Sequence, residues 1–178
     1  MVSTLDELRA TAHPVRLRLL SLLTGTAMSA AEAGRELQLS QAGASYHLRV
    51  LERAGLVRVV EVVRLRGGEA KRYRHESSAR PFDPERAESA DPVKETAEEH
   101  AQYVGAIAEE LHRRSALRDQ GPQVHIDAEL WVDAQTWRRV IALVGEASAL
   151  LHAQAQAPRT PRTSPVSMTA ALFPVRRP

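Results

Sequence analysis

Over the first 55 residues, apolar positions recur every three or four residues in stretches separated by residues that start or stop helices. Ser3 followed by Asp6 reads as a helix start, and Leu5, Leu8 and Ala12 keep helical spacing after it. Pro14 ends that helix or opens the next: PVRLRLLSLL is apolar at 15, 19, 20, 22 and 23, and Gly25 supplies a stop. Ser29 and Glu32 form the S-x-x-E pair whose side chains can satisfy each other's free backbone donors, opening a short helix through Leu37. Ser40 caps a further helix that ends near Ala54, where Gly55 can take the left-handed conformation that closes helices.

The period then changes. RVVEVVRLRGGEAKRYRH holds two β-prone runs around Gly67 and Gly68, the pattern of a hairpin whose turn needs positive φ. Residues 77–92 contain three prolines and no periodicity, and read as a linker. Beyond Pro92 a long helix is expected from 93 to about 118, with Ala97, Ala101, Val104, Ala108 and Leu111 as a narrow stripe suited to pairing between subunits. QVHIDAELWV then alternates, placing Val124, Ile126, Ala128, Leu130 and Val132 on one face as a half-buried strand does. Asp133 caps a helix whose stripe is Trp137, Val140, Ile141, Val144, Ser148 and Leu151. After the loop APRTPRTSP, VSMTAALFPV reads as a returning strand.

Charge sharpens this division. The net charge of +2 over 178 residues conceals a basic head, residues 1–75, with twelve Lys/Arg against seven Asp/Glu. An acidic middle follows, residues 76–120, with six against eleven. A basic head raises the odds of a polyanionic partner without establishing one. The absence of cysteine excludes disulfides, thiolate metal sites and a Cys nucleophile. The N-terminal MVSTLDELRATAH lacks the pattern of a secretion signal, and no uncharged apolar run approaches membrane-spanning length, so a cytoplasmic protein is expected.

The adjacent Tyr46 and His47 invite a catalytic reading, which helix geometry disfavours. With about 100° per residue, Ala44, Leu48, Leu51 and Ala54 cluster on one side, Ala42, Ser45, Tyr46, Arg49 and Arg53 on the other, and His47 at the flank. Adjacent helical positions do not converge on one substrate atom. The polar side instead offers hydroxyl, phenol and guanidinium groups on a capped helix, a set able to reach base edges and phosphates.

The succession HPVRLRLLSLL, SAAEAGREL, SQAGASYHLRVLERAGLV and the basic Gly-Gly hairpin resembles the winged helix-turn-helix of ArsR-type bacterial transcription regulators over residues 5–75. The specific part is the S-x-x-x-S-x-H-L-x-x-L-x-x-A-G-L-V core. The resemblance implies a homodimer that binds double-stranded DNA, with Gln41, Ala42, Ser45, Tyr46 and Arg49 at recognition-helix positions. It likewise assigns Arg64, Arg66, Lys71 and Arg72 to the wing and gives His47 a packing position. Ser40, as the cap, and Arg53, on the polar face, complete the expected DNA-binding set.

Candidate ligands elsewhere fit metal chemistry less well. The oxygen and nitrogen sensors of this type resemble D-x-H followed, eleven residues after its histidine, by H-x-x-H or H-x-x-E. Here Glu98 and His100 are followed by Glu109 and His112, a register slip of roughly 160° on a helix. His125, Asp127 and Glu129 share one strand face, as metal ligands or an acid/base pair would, but also as the wet side of any strand does. Neither a catalytic residue nor a metal or other cofactor is therefore assigned.

The fold class expected is α+β and mainly helical. A winged helix-turn-helix domain at 1–76 precedes the linker at 77–92. A long dimerisation helix and a small strand-helix-strand module at 93–178 complete the chain. In that module Trp131, Trp137, Met168 and Phe173 form core, or line a pocket for a small-molecule effector. The function expected is a homodimeric regulator, a repressor, on a short inverted repeat. The alternative is a protein-interaction module in which the winged helix is structural; a metal-responsive regulator, or a small metal-dependent enzyme using His125 and Asp127, stands behind it.

Overall fold

The computed structural model describes residues 4–65, 68–75 and 94–176. The expected Ser3 cap and the linker at 77–92 lie outside them. Among these residues are six helices and a three-stranded antiparallel sheet. Four helices open the chain: α1 (Leu5–Thr11), α2 (Pro14–Gly25), α3 (Ala30–Leu37) and α4 (Gln41–Arg53). Three short strands, β1 (Met28–Ser29), β2 (Val57–Leu65) and β3 (Gly68–His75), lie in the order β1-β3-β2. Two further helices follow, α5 (Ala97–Ser115) and α6 (Ala134–Gln154).

Local chemistry sets the boundaries. Thr4 and Glu7 form a capping box at α1, Ser29 and Glu32 one at α3, and Thr96 and Glu99 one at α5. His13 caps α2: its Nδ1 accepts from the Val15 N–H at 3.1 Å, and Pro14 fills the first turn, where an N–H would have no partner. Gln38 in the left-handed region ends α3 and makes room for the tight turn into α4. Gly55, with φ 72°, closes α4, and the next N–H, on Leu56, returns to the Leu51 carbonyl at 3.0 Å. That turn launches β2 directly from the end of α4.

The core gathers Leu19 and Leu23 of α2 with Leu48 and Leu51 of α4, all fully buried, beside Ala10, Leu20, Ala33, Leu56, Val57 and Tyr73. Burying four leucines at roughly 1.5–3 kcal/mol each is what fixes α4 against α2. The hairpin forms where expected, pairing Val57 with His75 and Leu65 with Gly68, with a bulge between Val59 and Glu61 that twists β2. β1 was not legible as a strand. Its two residues extend the sheet by pairing Met28 with Tyr73 and Ser29 with Arg72.

α5 packs on α1 and α2 through Ala106 and Glu110, which leaves Val104 and Leu111 of the stripe expected to pair between subunits exposed. The Glu110 carboxylate is almost wholly buried. It accepts from Arg113 at 2.9 Å and lies 3.0 Å from Arg18 of α2 and 3.5 Å from Arg114. α6 exists as expected, but the flanking segments 123–132 and 166–175 join no ladder among the described residues, so the strands of the expected module are not formed within the chain.

Candidate nucleic-acid interface

α4 divides its residues as the angular count requires. Ala44, Leu48 and Leu51 have no exposed surface, whereas Gln41, Ala42, Tyr46, Arg49 and Arg53 are exposed and Ser45 is half-buried. Ser40 Oγ accepts from the Gly43 N–H at 3.0 Å, satisfying one of the free donors at the helix start. Arg49 and Arg53 lie along their own helix, each Nε donating to the carbonyl four residues earlier at 3.3 Å.

The exposed positions do not form one uniform surface. Tyr46 and Arg53 turn toward α1 and α2, where they line an open cleft of about 370 Å³ with Asp6, Arg9 and Arg16. Arg16 is held there by the Ala10 and Arg9 carbonyls, at 2.5 and 3.0 Å. Its partial burial lowers its pKa, and the neighbouring Tyr46 opposes that shift. Gln41, Ala42, Ser45 and Arg49 do not line this cleft.

His47 packs instead of pointing outward. Its ring lies 4.8 Å from that of His13 and 5.2 Å, edge-on, from that of Tyr46. Burial first, and then the charges of His13 and Arg16, lower its pKa. His13 is lowered by burial first and then by Arg16. Both rings are thereby biased toward the neutral form, which suits a packing role between α2 and α4.

The wing residues separate into different environments. Arg64 and Lys71 are exposed, with Arg64 only 3.7 Å from Glu69 across the hairpin. Arg66 lies outside the described residues. Arg72 is turned inward: it donates to the Ala27 carbonyl at 2.6 Å and sits 3.9 Å from Glu32 and 3.8 Å from Glu61, fastening the wing to the start of α3. Sequence reasoning passed over Arg58 and Arg74, two exposed side chains directly opposite each other on β2 and β3. Like charges facing across strands disfavour the pairing by a few tenths of a kcal/mol, and only the register, once known, reveals them.

Among the described residues no group of three or more His, Asp or Glu is placed to hold a metal ion. His100 Nδ1 lies 2.9 Å from Glu95, and His125, Asp127 and Glu129 are exposed in the segment that follows α5. No described helix is long and apolar enough to cross a membrane.

A paired α3–α4 with α4 exposed on one face, followed by a hairpin wing, defines a winged helix-turn-helix, the architecture that places its second helix in the major groove. Residues 11–60 match the family model of a helix-turn-helix domain. No curated protein matches the chain.

Proposed function

We propose that the protein is a homodimeric DNA-binding transcription regulator of the ArsR type, a repressor, that recognises a short inverted repeat. The observation that carries this reading is the split of α4: its leucines fix it to the core while Gln41, Ala42, Ser45 and Arg49 remain available to base edges, with Tyr46 exposed at the cleft beside them. Arg64 and Lys71 on the hairpin supply backbone contacts, which set affinity and its salt dependence rather than sequence preference.

The exposed stripe of α5 supports pairing of two copies, since Val104 and Leu111 lie away from the face that packs on α1 and α2. One subunit then serves each half-site, and an effector acts by binding two dimer geometries unequally. Selection of bound fragments from a random duplex pool tests the reading. An enriched inverted repeat with one spacing is the expected result; failure to retain any duplex at low salt overturns it.

A further inference from the structure

We propose that segments 123–132 and 166–175 are strands of an intersubunit sheet, each completed by the opposite segment of a second copy of this chain. The inference builds on the homodimer of the preceding reading and places a distinct part of its interface in the C-terminal third of the chain.

The first observation is unmet apolar surface. Val124, Ile126, Leu130 and Trp131 are 80, 87, 76 and 89% exposed, and Val166, Phe173 and Val175 are also more than half exposed. α6, between the segments, has 21 residues, and Gly145 is its sole buried position. An amphipathic helix owes its stability in water mainly to the face it buries, so this one lacks its covering layer within a single chain. Seven large apolar side chains more than half exposed on two short segments go beyond the singly scattered apolar residues of an ordinary surface.

The second observation is the form of that surface. Alternation at 124, 126, 128, 130 and 132 creates an apolar face only if the segment is an extended strand. A strand demands a neighbouring strand for its backbone groups. The wing cannot supply one here, since neither segment joins its sheet. The two segments also do not join each other within the chain. The tail is instead held at its start against its own DNA-binding domain, where the Gln156 backbone abuts Gly25 and Arg159 binds Glu36.

Charge favours one pairing over the other. Segment 123–132 carries Asp127 and Glu129 and no Lys or Arg, whereas segment 166–175 carries no charged residue and is flanked by Arg162 and Arg176. Pairing 123–132 with its own copy would bring the carboxylates of the two chains together, which pairing it with 166–175 avoids. A twofold axis makes that pairing twice: the acidic segment of each copy meets the uncharged, Arg-flanked segment of the other, the self-complementary arrangement of a closed dimer.

Sedimentation equilibrium of the full chain without DNA reads the interface directly. The unaltered protein is expected as a dimer, and Ile126→Asp is expected to raise the dimer Kd at least about thirty-fold while circular dichroism retains the helix content. A monomeric unaltered chain, or a dimer of unchanged Kd in the variant, overturns the proposal. Because the chain has no cysteine, a second measurement mixes copies carrying Asp127→Cys with copies carrying Thr169→Cys and treats them with a bismaleimide. A product containing one of each is expected; no such product, or linkage only between copies carrying the same substitution, overturns it. Neither measurement involves DNA, so failure here leaves duplex selection as the separate test of regulator function.

Discussion

Arg159 grips Glu36 through two parallel hydrogen bonds, Nη1 to Oε1 at 2.8 Å and Nη2 to Oε2 at 3.0 Å, across 123 residues of sequence. The pair ties the tail after α6 to the first helix of the helix-turn-helix. Beside it, any side chain at Gly25 would meet the Gln156 backbone, which cannot yield as a flexible side chain can. Gly25 is the last residue of α2, where alanine is at least as compatible with the helix as glycine, so Gly25→Ala should leave α2 intact and release the tail. Hydrogen exchange should then accelerate at 155–160 and stay unchanged in the core leucines. An unaltered tail would show that this close approach does not hold it.

Arg49→Ala should weaken specific binding by about 1–3 kcal/mol with little change on random duplex. Lys71→Ala should weaken both alike and reduce the salt slope by about 1. Anisotropy titrations over a range of salt separate the two, and equal losses for Arg49→Ala on both duplexes would contradict the division between helix and wing.

The cap of α4 should be worth about 1 kcal/mol, because Ser40→Ala strands the Gly43 N–H at the start of the helix. The loss is read as a lower denaturation midpoint, and Ser40→Asp should recover most of it. A neutral Ser40→Ala would mean that water satisfies this donor equally well.

Glu110 is surrounded by Arg18, Arg113 and Arg114, and its carboxylate is buried while the arginines are partly solvated. Removing it with Glu110→Ala leaves three guanidinium groups without their common partner. The cost should be about 2–3 kcal/mol, toward or below the low end for a broken buried pair because solvent reaches the arginines. Chemical denaturation measures it, with Glu110→Gln expected between the two.

The paired rings of His13 and His47 should make stability depend on pH. Their folded pKa values lie below the unfolded value, chiefly through burial, so the unfolded chain binds more protons. Stability from this source is therefore complete above the unfolded pKa, near 6.5. It declines as pH falls through that value, until the folded rings themselves titrate. Denaturation midpoints should drop between about pH 7 and pH 5, and His47→Gln should flatten the drop. An identical decline in the variant would assign it to other groups.

The DNA-binding domain was legible because its signals are local. Ser29 with Glu32, Ser40 and Gly55 each act within about one turn, the hairpin joins two β-prone runs adjacent in sequence, and each appears where expected. The inward turn of Arg72 depends on the Ala27 carbonyl, 45 residues away, and nothing in its own strand announces it. Gly25 looked like a stop signal, yet its second constraint is the Gln156 backbone, brought there only by folding. For α5, periodicity offers more than one face: Ala106 and Glu110 pack within the chain, whereas the spacing favoured Val104 and Leu111. The C-terminal strands were read from alternation alone, which records the side-chain pattern but not the neighbour that a ladder requires.

Mapping hydrogen exchange with and without a selected duplex tests most directly whether α4 is the reading element. Protection concentrated at 40–53 and along Arg64 and Lys71 of the hairpin is the expected result. Salt-sensitive duplex binding that leaves 40–53 unprotected, with protection only elsewhere on the chain, would contradict it.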